Sequence, residues 1–188
     1  EMVATVAPDL EADSAKRILD ATGKLILPGI IDVHVHPVYL DDIHHTFISA
    51  AFGGTTTMIH YVCTQPGMKV LETIQKFRDD GLENSLTDFG LHAGLFDVAN
   101  QIEELPGAFK LGVTSFKVFM TYARLKWMTD DYWLMATLDV VGQEGGLVMV
   151  HAENGLATDY LEDKYKRMKL PALEAFTRTR PDVLEAEA

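Results

Sequence analysis

The sequence predicts an α/β fold: a partial (β/α)8 TIM barrel of about five βα units, preceded by a small β element of an N-terminal β-sandwich. Three observations predict it. Short runs rich in Val, Ile, Phe and Thr alternate with longer stretches of helical pattern. The runs are almost continuously apolar, as parallel strands covered on both faces are. They also carry His and Lys, the chemistry of a barrel's C-terminal face, whereas no Gly-rich phosphate fingerprint follows the first strand to favour a nucleotide-binding doubly wound sheet. A whole barrel needs at least ~200 residues, so 188 residues are expected to supply only its N-terminal part.

Residues 1–27 are assigned to the small β domain, with a turn at Asp20–Lys24, and 28–188 to the barrel. The expected strands are Ile30–His36, Thr55–Val62, Asp88–Leu95, Ser115–Thr121 and Leu147–Glu153. Between them, helices are expected over Asp42–Phe52, Met68–Asp80, Val98–Phe109 and Asp130–Gln143. Gly53-Gly54, Gly81 and Gly145-Gly146 mark helix ends, because glycine adopts the left-handed conformation that closes a helix. Thr129, followed by two aspartates, reads as a helix cap. A last helix is expected over Leu156–Met168, a break at Pro171, and a restart near Pro181-Asp182.

Composition excludes several functions. With 16 basic against 28 acidic residues the formal charge is −12, which leaves no footprint for nucleic acid or anionic lipid. No apolar run approaches the ~18 residues of a membrane span, so neither nucleic acid nor membrane is expected as a partner. The single cysteine, Cys63, cannot close an intrachain disulfide, and a cytoplasmic setting is expected.

Three segments carry chemistry. In Pro28–His36, a period of two puts Asp32, His34 and His36 on one strand face. Two imidazoles at i, i+2 near a strand end can converge on one metal ion, and the flanking Pro28-Gly29 and Pro37 sharpen the signal. In Thr114–Tyr122, Lys117 interrupts an otherwise apolar strand, where an ammonium is costly unless it is neutralised or partnered. In Val148–Asn154, His151 ends the fifth strand. Ligand-type residues thus stand at one end of strands one, four and five, as a binuclear metal centre on a barrel requires.

These segments resemble the hydantoinase and dihydropyrimidinase branch of the amidohydrolase superfamily. The matching stretches are Pro28–His36, Ala50–Ile59, Gly112–Tyr122, Met149–Gly155 and Thr177–Ala188, in the family's order over nearly the whole chain. The resemblance implies two divalent metal ions, usually zinc, held by His34, His36 and His151 and bridged by Lys117 as an N6-carboxylysine. It implies that Tyr122 stabilises the oxyanion and contacts the substrate, a small cyclic amide such as a hydantoin or dihydropyrimidine. It also implies a homotetrameric parent. The family's remaining metal histidine and its proton-transferring aspartate would lie beyond residue 188, so these residues alone are expected to be inactive.

Two neighbouring readings are an allantoinase- or dihydroorotase-like enzyme and a non-catalytic scaffold like the collapsin response mediator proteins. The retained ligand-type residues weigh against the scaffold, and the stretch from Lys117 to Tyr122 favours the hydantoinase branch. Other residues carry less. His44 and His45 read as solvated, His92 as a satisfied core histidine, and Cys63 as a small buried residue. Trp127 is a candidate wall for a substrate's side group. His60, at an expected strand end, has an open role.

Overall fold

The computed structural model describes residues 3–8, 10, 15–36 and 42–188. Five strands, β1 (Ile30–Val35), β2 (Thr55–Thr64), β3 (Asp88–Leu95), β4 (Ser115–Phe119) and β5 (Leu147–His151), form one parallel sheet in sequential order. Consecutive parallel strands joined by helical crossovers curl into part of a barrel. Helices α1 (Ile43–Phe52), α2 (Val70–Asn84), α3 (Val98–Gln101), α4 (Leu105–Lys110) and α5 (Asp131–Gln143) make those crossovers. After β5 come α6 (Gly155–Arg167), α7 (Ala172–Thr179) and α8 (Val183–Glu187). No helix among the described residues is long and apolar enough to cross a membrane.

The strand alternation sorts the sheet into two faces. Val62, Ala93, Leu95, Phe116 and Val118 point outward and meet Val70 and Ile74 of α2, Leu105 and Ala108 of α4, and Val141 of α5, all buried. Each large side chain removed from water here stabilises the fold by about 1.5–3 kcal/mol. The other face holds Tyr61, His92, Ser115, Lys117 and Met149, so the polar and titratable groups gather on the concave side.

Several local expectations need correction. Gly81 lies inside α2, which runs on to Asn84; it is buried because the helix crosses β3 there, and a Cβ on it would sit 2.5 Å from Phe89 Cζ. The stretch Val98–Phe109 is not one helix but α3, a 3-10 turn at Ile102–Glu104, and α4, with Pro106 in the first turn of α4 where its missing N–H is harmless. The cap of α5 is Asp130, whose Oδ1 accepts from Trp133 N–H at 3.0 Å. Thr129 instead donates its N–H to Phe119 O at 2.7 Å, prolonging the β4 edge. Pro171 begins α7 rather than only breaking the chain, since proline's fixed φ suits a helix entry.

Ahead of β1 the expected turn is present, with Lys24 N–H on Ala21 O at 2.9 Å and Thr22 N–H on Asp20 Oδ1 at 2.9 Å. No strand ladder occurs among the described residues there, and Ile18, Leu19, Leu25, Ile26 and Leu27 are exposed, with no sheet beside them to cover them.

At Gly146, between α5 and β5, an added Cβ would lie 2.7 Å from Thr114 O and 2.6 Å from Phe109 Cζ. The carbonyl belongs to the ladder, because Leu147 N–H donates to it at 2.9 Å, and cannot move cheaply. Gly146→Ala is therefore expected to cost about 1–3 kcal/mol by overpacking. Urea unfolding should show a lower midpoint at unchanged slope; an unshifted midpoint would contradict this.

Candidate functional site

The C-terminal ends of the strands enclose a cavity of about 250 Å³. Strand β1 and the residue after it bring His34 and His36, β2 brings Tyr61, β4 brings Lys117 and Phe119, and β5 brings His151. Phe96, Tyr122 and Trp127 close it from the loops after β3 and β4. The four residues singled out for metal binding, together with Tyr122, thus line one space. Pro37, counted with the first motif, lies outside the described residues.

His34 Nε2 and His36 Nε2 are 3.0 Å apart. Metal–imidazole bonds are ~2.0–2.1 Å long, so two nitrogens at that separation can share one ion. The rings are held by Tyr61, stacked on His36 at 15° and 4.6 Å and tilted against His34 at 4.5 Å. Tyr61 O–H donates to Met149 Sδ at 3.0 Å, tying β2 to β5 across the concave face. Asp32, expected on the same face as the histidines, instead accepts the His34 N–H on Oδ1 at 3.1 Å and does not reach the cavity.

The electrostatics of the cavity disfavour positive charge. Burial lowers the pKa of His36, helped by the neighbouring charges of His34 and Lys117. Burial likewise lowers that of Lys117. A neutral imidazole is the form that binds metal, and a neutral amine is the form that can take up carbon dioxide. Among the described residues no acid lines the cavity, and no three His, Cys, Asp or Glu side chains lie close enough together to hold one metal ion. The donors present are imidazoles around one amine. An imidazole-rich set suits zinc, and it lacks the anionic oxygen that a carbamate on Lys117 would add.

Tyr122 stands just past β4 with φ 65°, in the left-handed region that non-glycine residues rarely occupy. Its carbonyl accepts from Leu125 N–H at 3.0 Å and Trp127 N–H at 3.3 Å, which fixes the turn. Its ring meets those of His151 at 5.5 Å and Trp127 at 5.9 Å, both edge to face.

The residues given lesser roles mostly stay there. His92 is nearly buried and satisfied, with Nε2 2.9 Å from Val33 O and Nδ1 hydrogen-bonded to Ser115 Oγ. His44 and His45 are exposed at the start of α1, with His45 Nδ1 2.8 Å from Asp42 Oδ1. Burial raises the pKa of Cys63, which keeps the thiol protonated. Trp127 does form part of the wall. Tyr61 and Phe96 were not anticipated. Alternation held the signal for Tyr61, because it has the opposite parity to its outward-facing neighbour His60.

His60 requires a correction: it lies mid-strand in β2, which runs to Thr64, and faces away from the cavity. It is fully buried against Phe47 of α1 and Phe89 of β3, and neither ring nitrogen has a hydrogen-bond partner among the described residues. Desolvation pushes its pKa down to about 4 from 6.5. The unfolded chain therefore binds the proton more readily, and the stability from neutral His60 is full above pH 6.5 and lost as pH falls towards 4. From pH 7 to 5 wild type should lose about 2 kcal/mol more than His60→Leu. Urea unfolding of both at the two pH values checks this; parallel losses would rule it out.

No protein-family model matches the chain. It is 40% identical over 182 residues to the D-hydantoinase of Ralstonia pickettii, covering 93% of this chain and 40% of that protein. It is 33% identical over 193 residues to the dihydropyrimidinase of Rattus norvegicus, covering 96% and 36%. The crystal structure of dihydropyrimidinase from Brevibacillus agri superposes with a TM-score of 0.83 at 35% identity, covering 96% and 41%. The chain thus spans about two fifths of the length of the curated relatives it matches. Similarity along nearly the whole sequence and the shared arrangement of parallel strands lead to one assignment: over this length the chain is a homologue of the D-hydantoinases and dihydropyrimidinases.

Proposed function

We propose that this chain supplies the metal-holding strands of an enzyme that hydrolyses the C–N bond of cyclic amides, hydantoins or dihydropyrimidines. The observation that supports this most is the convergence of His34, His36, Lys117 and His151 on one cavity from both ends of a five-stranded sheet. In this reading His34, His36, His151 and a carboxylated Lys117 would hold two divalent ions. Such ions, zinc by donor type, would supply a lowered pKa for water and polarisation of a carbonyl.

The chain's own groups would do the rest. Tyr122 donates its phenolic O–H to the ring carbonyl oxygen, and that hydrogen bond strengthens as negative charge develops. Phe96 and Trp127 form an aromatic wall that orients a flat ring and excludes bulk water. Tyr61 keeps the two β1 imidazoles in place from below.

The test is zinc uptake by the purified chain, with intact-mass measurement for carbon dioxide on Lys117, alongside His34→Ala. Wild type should take up zinc and carry the added mass, and the variant should lose most of the metal. Ring opening of hydantoin or dihydrouracil is then assayed in a version extended through the remaining barrel units. Failure of wild type to take up zinc, or ring opening unaffected by chelators, overturns the metal-dependent reading.

A further inference from the structure

Beyond His151 the strand ends, and Glu153 follows in the turn before α6. Glu153 is only 9% exposed although it is an acid. Its Oε2 lies 3.4 Å from His151 Nε2, and its Oε1 lies 3.7 Å from Nε of Arg180, the residue that ends α7. Arg180 is fixed in turn. One of its terminal nitrogens donates to Glu162 Oε1 at 3.2 Å and the other to Thr179 Oγ1 at 3.1 Å, and the guanidinium lies over Phe176 at 5.0 Å. A mostly buried carboxylate thus has one oxygen on the imidazole and the other on a restrained cation, beside the cavity that His151 lines.

A neutral imidazole carries one N–H and one lone pair, and a carboxylate can only accept. A hydrogen on the nitrogen that faces Glu153 is the arrangement this contact favours, and it leaves the lone pair on Nδ1. We infer, building on the proposed metal-holding role of His151, that Glu153 is a positioning residue that fixes His151 as its Nε2–H form and presents Nδ1 as the metal donor. Arg180, reaching in from α7, holds Glu153 in that place. A carboxylate behind a ligating histidine sets ring orientation and raises donor basicity. Arg180 and Glu162 therefore bring α6 and α7, outside the sheet, into the setting of a ligand on β5.

The test uses metal-free protein labelled with ¹⁵N in histidine. Wild-type His151 should show a protonated Nε2, an unprotonated Nδ1 and a slowly exchanging Nε2–H proton. Glu153→Ala should lose that proton signal to exchange and weaken zinc binding by about 10–100-fold. Glu153→Gln, which keeps an accepting oxygen, should retain the signal and most of the affinity. Arg180→Gln leaves Glu153 in place without its clamp and should give a smaller loss, which keeps the test open should the alanine variant not fold. A protonated Nδ1 in wild type, or an alanine variant with both readouts unchanged, overturns the inference. Absence of zinc binding in wild type would refute the metal reading instead, and is separable because the tautomer is read without metal.

Discussion

Lys117→Ala should lose most of the zinc that wild type takes up, and short carboxylic acids such as acetate or propionate should return part of that uptake and, in the version extended through the remaining barrel units, part of the ring-opening activity. The expectation follows from what the cavity contains. His34, His36 and His151 provide imidazole nitrogens, and among the described residues no Asp or Glu lines the space. Two divalent ions held by imidazoles alone would stand close together with their charge uncompensated. The lysine sits on the concave face with its pKa lowered by burial, which favours the neutral amine, the form whose lone pair attacks the carbon of carbon dioxide. Addition to that amine forms an N–C bond and releases a proton, which turns a cation into an anionic oxygen donor. Alanine leaves a gap where that donor stood, and a small carboxylate can enter it. Metal content by elemental analysis, with and without added acid, gives the answer. Full metal content in the alanine variant without additive would refute the bridging role.

On the proposed activity, Tyr122→Phe in the version extended through the remaining barrel units should lower kcat for ring opening by about 10²–10³-fold with little change in KM, the loss typical of removing one oxyanion donor. Phenylalanine keeps the ring contacts with His151 and Trp127 and removes only the hydroxyl. The split between kcat and KM separates donation from packing, since an interaction made mainly in the transition state lowers kcat. Metal content should be unchanged. An equal rise in KM at constant kcat would make Tyr122 a substrate contact and not an oxyanion donor.

How far these residues could be read in advance depended on whether the information was local. Alternation along β1 placed His34 and His36 together because the rule needs only neighbouring residues. The same rule placed Lys117 opposite the outward Phe116 and Val118. Gly81 misled because a buried helix glycine and a terminal one look alike in sequence; only the approach of Phe89 from β3 distinguishes them. His60 misled because the end of β2 was placed too early, and its pocket is built by α1 and β3. The Glu153–Arg180 contact joins a β5 turn to the end of α7, a pairing that no periodicity encodes.

The strand order also sets a sequence of events. His34 on β1 and His36 just after it stand at one edge of the sheet, while His151 stands on β5 at the other, so β2, β3 and β4 must be in place before the two groups can face each other. Closing so long a stretch of chain is a late event, because distant contacts form only after local ones have reduced the entropy of the loop between them. A metal ion meeting the emerging chain would find only the β1 pair, a two-nitrogen clasp in open solvent, and would exchange freely. One arriving after the sheet has curled would find His34, His36, Lys117 and His151 together and be held more firmly. On the proposed metal-holding role, metal retention would act as a clock for assembly: in a refolding experiment, zinc added at increasing delays should become chelator-resistant only after the β4–β5 ladder forms.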